Sequence, residues 1–289
     1  ADDIAKDDGM SDYAAINTPG TFLSGKWGPV EQGGWGISNW SSLRNINYFL
    51  EKAANTPVSA EALNHYLGLA HFWRAVFYFQ KVQTFGAVPW YDKALDPDDP
   101  ELNKPRDSRE FVMGKVLEDI NFAATHLRET KDTYSSLVNR FTALAMKSRI
   151  CLFEGTYRKY HTGLGLTDAA AWLQEAANAA KAVIDSKQYQ LYNTGKPESD
   201  YRTLFITENM SGMPKIAGEV ILGHLMNTES RVWHDLTWNF NSQTNGSRWS
   251  LVRPFVNTYL MRDGSRFTEK AGYETMEFYN EMKNRDFRL

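Results

Sequence analysis

Residues 71–91 read HFWRAVFYFQKVQTFGAVPWY, and this stretch decides the fold. Phe72, Trp73, Val76, Phe77, Phe79 and Val82 fall around the whole circumference of a helix, whereas a surface helix carries a single apolar stripe. A helix apolar on so many sides must pack against several neighbours, which places it inside a large all-α body. Gly86 ends it, because glycine adopts the left-handed backbone that closes helices, and Pro89 prevents its resumption.

Helix signals repeat outward from this segment. Upstream, residues 41–55 carry Leu43, Ile46, Asn47 and Leu50 on one face, with Asn55-Thr56-Pro57 as the stop. Ser59 caps a long second helix that runs to about Phe85, with Glu61 in the first turn where the helix dipole favours an acid. Downstream, residues 92–107 (DKALDPDDPELNKPRD) are too broken by proline and aspartate for regular structure and read as a surface loop. Ser108 opens a third helix with Phe111, Val112, Val116, Ile120, Ala123, Ala124 and Leu127 at helical spacing; Asn139 caps a fourth and Asp168 starts a fifth. Alanine-rich faces on the last two allow close approach. Paired antiparallel helices of this kind predict an all-α, tetratricopeptide-like helical repeat scaffold, degenerate because the loop after Phe85 breaks the roughly 34-residue period.

Three regions follow from this reading. Residues 1–40, rich in Asp, Gly, Ser and Trp, form an N-terminal loop region; 41–190 form the helical repeat scaffold; 191–289 are loop-rich, with one strand-like run at 219–223 and a return to helical pattern after residue 250. Long irregular loops on a rigid scaffold are where binding usually resides. The opening ADDIAKDDGMSD reads as the interior of a longer protein, and the stop at Leu289 without a tail suggests a native chain that continues.

Composition narrows the function. A net charge of −3 provides no basic surface for a phosphate backbone, so nucleic acid is not an expected partner. No run approaches the roughly 18 apolar residues of a membrane span. Cys151 is the only cysteine, which excludes an internal disulfide and a cysteine-based metal site, and its apolar helical setting reads as an inert buried thiol. Aromatics make up 13% of the chain, many of them in Gly/Asn/Ser-rich stretches where a core role is less automatic.

The motifs, taken in order, resemble those of the SusD/RagB family of Bacteroidetes nutrient-binding lipoproteins. Arg74-Ala75 leading into Phe85-Gly86-Ala87-Val88-Pro89 is similar to the family hallmark, and Trp40 to Glu51 resembles its first repeat helix. Residues 143–156, with Arg149 and Glu154, resemble its Ala-Leu-x-Ala-Arg helix ending in Glu-Gly. Further on, Glu219-Val220-Ile221, Tyr259 to Gly264, and Arg285-Asp286 with Phe287 where the family has proline are similar to its C-terminal motifs. Arg74, Arg149 and Glu154 lie on apolar helices and read as structural residues, in ion pairs or hydrogen bonds to loop carbonyls, and not as catalytic ones.

The resemblance implies a non-catalytic protein, anchored on the extracellular face of the outer membrane by an N-terminal lipid that this chain lacks. It would bind an oligosaccharide or polysaccharide nutrient and deliver it to a SusC-like TonB-dependent transporter. It also implies that ligand is gripped by aromatics from the loop before the first repeat helix and from the irregular C-terminal region.

Sugars present apolar C–H faces ringed by hydroxyls, so a binding site needs flat rings beside amide or carboxylate hydrogen-bonders. Two loops offer them: Trp27, Trp35 and Asn39 in the first, and Trp233, Trp238, Asn239, Asn241 and Trp249 in the second, beside His234 and Gln243. Trp40 is read as core, and Pro89-Trp90-Tyr91 as a turn outside the site. No cofactor is expected; calcium is the one exception weighed, on Asp96, Asp98, Asp99 and Glu101, which lack EF-hand spacing.

Enzyme motifs for nucleophile elbows, zincins and phosphate loops are missing from the sequence. Two alternatives stay open on residues alone: a helical-barrel glycoside hydrolase, which also combines helices, Trp-rich loops and acids, and a protein-binding helical repeat adaptor.

Overall fold

The structure is a computed structural model that describes residues 4–5, 34–53, 55–207, 213–229, 231–234, 250–251 and 253–289. The chain divides into two compact units: residues 34–191 with 213–224, and residues 192–212 and 225–289 with the segment before Gly34.

The first unit contains five long helices: α1 (Ser41–Ala53), α2 (Ala60–Phe85), α3 (Arg109–His126), α4 (Arg140–Tyr160) and α5 (Ala169–Asp185). Each packs principally on the next in chain order, as in a tetratricopeptide array. Local chemistry sets most of the boundaries. Ser59 Oγ accepts the Ala62 N–H at 3.2 Å, and Ser108 Oγ accepts that of Phe111 at 3.2 Å. Asn139 and Thr142 close a reciprocal capping box, with the Asn139 side chain accepting the Thr142 N–H at 2.9 Å. Gly86 ends α2 with φ +70°, its N–H on the Val82 carbonyl. Asp168 starts α5 as expected, standing at its N-cap with φ +63°, but its side chain makes no capping bond to the first turn. Thr167 Oγ1 donates to it instead at 3.0 Å.

The core joins Phe72, Tyr78, Phe79 and Val82 of α2 to Val112, Met113, Val116 and Ile120 of α3, and continues through Ile150, Cys151, Trp172 and Ala176. Trp73 is the exception to the reading of α2 as apolar and packed all round: it is 47% exposed. The main neighbours of α2 are α1 and α3, and Trp73 lies on the strip that neither covers. Phe111, in the first turn of α3, is exposed for a similar reason. The predicted close approach of α4 and α5 is met at Gly155, where a Cβ would stand 2.8 Å from Leu173 Cγ.

Buried charges tie the helices together. Arg74 donates from Nε and Nη2 to the two oxygens of Asp119 at 2.7 and 2.8 Å. Glu154, fully buried, accepts from Arg109 Nη2 at 2.7 Å and Arg158 Nε at 3.0 Å. Arg149, expected to share such a role, is exposed and makes no ion pair among the described residues. It projects from the α4 surface rather than towards α3 or α5. Cys151 is buried, and that burial pushes its thiol up to about 12.

The loop after α2 is more ordered than its composition suggests. It holds a 3₁₀ turn, Pro100–Asn103, capped by Asp99, and Val88 pairs with Asp107 across its mouth. The strand-like run at 219–223 is turn and bend, not strand. No strand lies beside it among the described residues, and the Gly223 N–H bonds instead to the Ser135 carbonyl at 2.6 Å.

The second unit has a helix, α6 (Pro197–Ile206), short helices at Arg253–Asn257 and Phe278–Glu281, and a two-residue antiparallel pairing of Ile4–Ala5 with Ser250–Leu251. The helical pattern expected after residue 250 is therefore realised only as short pieces. They are joined through buried Arg285, which donates to the carbonyls of Val256 (2.7 Å), Tyr259 (2.8 Å) and Glu281 (2.8 Å). One guanidinium there does what a continuous helix would otherwise do for those carbonyls.

Candidate functional site

Two segments of the first unit face each other across an open cavity. The first is residues 34–40, which fold back against the end of α2. Buried Lys81 donates to the Gly34 carbonyl, and its ammonium lies 4.9 Å from the Trp40 ring and 5.2 Å from Phe77. Burial lowers the Lys81 pKa. Trp40, ending a 3₁₀ turn (Ile37–Trp40), donates from Nε1 to the Trp35 carbonyl at 3.3 Å. The Trp35 ring meets Trp40 and Phe85 edge-on at 5.4 and 4.9 Å, and the Arg106 guanidinium lies 4.6 Å from its centre.

The second wall is the loop from Val88 to Arg106, and buried or half-buried side chains hold its backbone. Asp107 accepts the Trp90 N–H at 2.7 Å, and the Tyr78 hydroxyl accepts that of Tyr91 at 2.6 Å. Asn47, on α1, donates from Nδ2 to the carbonyls of Tyr91 (2.9 Å) and Lys93 (3.1 Å). Its Oδ1 accepts from Arg74 Nη1 at 3.2 Å. A buried chain thus runs from Asp119 through Arg74 and Asn47 to the loop. The hallmark arginine of α2 does not touch the cavity; it positions the amide that positions the wall. Trp90 is buried in a stack on Tyr78, with ring centres 4.2 Å apart, and burial raises the Tyr78 phenol well above its ordinary range.

The cavity between these walls has a volume of about 610 Å³, within the range of small-ligand pockets. Trp35, Trp40, Leu43, Pro89, Tyr91, Leu95 and Leu102 provide its apolar surface; Ser41, Arg44, Asn47, Lys93, Asn103, Lys104 and Arg106 provide its polar groups. Lys93 pairs with Asp99 (3.4 Å) and Glu101 (3.0 Å), and Lys104 with Asp107 (3.1 Å). Arg44 and Arg106 each donate to a single backbone carbonyl, of Leu95 (3.3 Å) and Phe85 (3.4 Å), and neither meets a carboxylate among the described residues. Such a surface can stack an apolar ring face on indole and hydrogen-bond its polar edge.

Of the residues singled out in the sequence, Trp35 lines this cavity and is 38% exposed. Asn39 is exposed close by but does not line it. Trp233 is 63% exposed in the second unit, just after the bridge between Asn227 and Val232. Trp27, Trp238, Asn239, Asn241 and Trp249 lie outside the described residues. Two further groups of residues bear on both core and cavity. Trp40, read as core, packs against the core cluster and, being half-buried, also lines the cavity; Pro89 and Tyr91, read as a turn outside the site, line it as well. The turn at Pro89 brings the chain back beside the start of α1, a long-range closure invisible in a local pattern. The available signal was the set of cations at 93, 104 and 106 around a loop pinned at both ends.

Comparison with known proteins agrees with this architecture. The SusD-like_3 family model, described as starch-binding and associating with the outer membrane, matches residues 35–152, which contain every residue lining the cavity. A SusD-like protein of Formosa agariphila is 27% identical over 173 residues, 60% of this chain and 29% of its own length. Among solved structures, a SusD-like carbohydrate-binding protein of Bacteroides fragilis superposes with a TM-score of 0.68 at 17% identity, covering 99% of this chain and 50% of that one. A second B. fragilis SusD-like protein gives 0.63 at 21% identity, covering 85% and 46%. The chain therefore spans half or less of the length of these relatives. At such identities the solved structures bear on the fold alone, which is the tetratricopeptide-like fold read from the helices. Over residues 35–152, which include the hallmark at Arg74 to Pro89, the chain is therefore similar to the SusD-like family, and the solved SusD-like structures share its fold.

Proposed function

We propose that the chain binds a carbohydrate in the cavity between segment 34–40 and the loop 88–106, and that it does so without turnover. The observation that carries this reading is the Trp35 ring: partly exposed at an open cavity of about 610 Å³ and fixed by neighbours before any ligand arrives. Affinity comes from stacking on a ring that loses little freedom on binding, and specificity from donors whose loss leaves polar groups unpaired. A glycosidase needs two convergent carboxylates, and the lining residues offer arginines and lysines in their place. The matched family is described as starch-binding, and the B. fragilis protein of similar fold is named as carbohydrate-binding; both support the same reading.

In the larger setting the protein acts at the outer membrane, on its extracellular face, and passes its glycan to a SusC-like TonB-dependent transporter. No cofactor is invoked: Asp99 and Glu101, weighed as calcium ligands, answer Lys93.

A glycan array followed by calorimetry of the retained oligosaccharide tests the proposal. Trp35→Ala is expected to weaken binding roughly tenfold or more, as loss of a stacking platform does. Wild-type affinity in that variant removes the cavity from consideration, and release of new reducing ends overturns a purely binding role.

A further inference from the structure

Among the described residues the cavity is lined by Arg44, Lys93, Lys104 and Arg106 and by no acidic side chain, in a chain whose net charge is −3. The two lysines are answered by the carboxylates of Asp99, Glu101 and Asp107, which stand outside the lining. Among the described residues the two arginines are not. Each guanidinium carries five N–H donors in a planar fork, and each uses one on a backbone carbonyl, Arg44 on Leu95 and Arg106 on Phe85. Both side chains are solvent-exposed rather than sealed in the core, so their remaining donors stay accessible.

Arg106 is also stacked 4.6 Å from the centre of the Trp35 ring. A cation is thereby held against the aromatic surface most suited to a pyranose face. A neutral sugar would offer that guanidinium only uncharged hydroxyl acceptors, the weaker kind of hydrogen bond. A sugar that bears a carboxylate or sulfate beside its apolar face would meet both groups at once, in the bidentate geometry that arginine favours for planar and tetrahedral oxyanions.

We infer that the ligand of this cavity is an anionic saccharide, its apolar ring face on Trp35 and its carboxylate or sulfate held by Arg106 and Arg44. The inference rests on the carbohydrate reading above and specifies its substrate class. Lys93 and Lys104, already paired, hold the loop in place and add to the positive field without serving as primary contacts.

The test uses the 289-residue protein on an array that carries matched neutral, uronate-bearing and sulfated oligosaccharides, followed by calorimetry of the tightest binder. Acidic probes are expected to be retained and their neutral counterparts not. Arg106→Gln and Arg44→Gln should each weaken binding roughly tenfold, as loss of a charged hydrogen bond does, and Arg106→Lys less than Arg106→Gln. Affinity should fall between about 50 mM and about 500 mM salt, since exposed charges are screened. A carboxyl-reduced uronate probe identifies the source of the charge: loss of binding assigns a carboxylate, whereas retention of sulfated probes alone assigns a sulfate.

Retention of neutral glycans with dependence on Trp35 but not on either arginine overturns the inference and leaves the carbohydrate reading standing. Retention of no glycan of any kind overturns that reading, and the inference with it. Circular dichroism of the variants separates lost contacts from lost folding.

Discussion

Arg74 and Asp119 meet as a two-pronged buried pair, at 2.7 and 2.8 Å, and the same guanidinium reaches Asn47 at 3.2 Å and so governs the wall of the cavity 44 residues of chain away from Asn47. His71 Nδ1 completes the carboxylate's surroundings at 2.6 Å. Removing one partner strands the other. Arg74→Met should lower stability by about 3–5 kcal/mol, read from urea denaturation, while Arg74→Met with Asp119→Leu should recover much of the loss. Equal losses in the single and double variants would count against the pairing.

The same pair sets an acid sensitivity. Burial pushes the Asp119 carboxyl up, but hydrogen bonds from Arg74 and His71 more than reverse that and hold it below its ordinary 3.8. For a lowered carboxylate the stabilisation is complete above the ordinary value and is lost as pH falls through the folded-state value. The urea midpoint of the wild type should therefore drop as pH is lowered from about 5 through this range, and that of Asp119→Asn should drop less steeply. Parallel curves would assign the acid sensitivity elsewhere.

Asn47 links scaffold to site. Asn47→Ala releases the Tyr91 and Lys93 carbonyls and leaves Arg74 one acceptor short. Stability should fall by about 1–3 kcal/mol. Amide exchange should quicken around residues 91–95 with α1 intact, and glycan affinity should fall because the wall is no longer held ready. Unchanged exchange there would show that Tyr78 and Asp107 suffice.

Two glycines give opposite expectations. At Gly155 an added Cβ stands 2.8 Å from Leu173 Cγ and 3.0 Å from the Leu173 backbone nitrogen, so Gly155→Ala should destabilise by about 1–3 kcal/mol. At Gly114, inside α3, nothing lies within 4 Å, and Gly114→Ala should stabilise by about 0.5–1 kcal/mol through backbone entropy alone. Thermal melts of the pair decide both.

Cys151 is 0% exposed with its thiol pushed up to about 12. A thiol reagent at neutral pH should leave the native protein unmodified and label it in step with urea unfolding. Rapid labelling without denaturant would show that α4 opens locally.

The scaffold was open to reading because its signals are local. Ser59, Ser108 and Asn139 satisfy N–H groups within three residues of themselves, and Gly86 with Pro89 stops α2 whatever surrounds it. Where a signal depended on a partner, the reading failed. The run at 219–223 has the residues of a strand but no strand beside it, and Trp73 has an apolar helix around it but stays 47% exposed, both among the described residues.

The site divides in the same way. An indole at position 35 in a glycine-rich segment stood out in the sequence, since such a segment has little core of its own to hide it, and the structure places it on the cavity. Trp40, Tyr91, Arg44 and Arg106 announced nothing, because each is ordinary in its own neighbourhood and acquires meaning only when the loop after Pro89 closes back on α1 through Asn47. Helix type, caps and family depend on neighbours a few residues apart and are written along the chain. The cavity depends on hydrogen bonds across 44 and 46 residues, and folding alone brings those groups together.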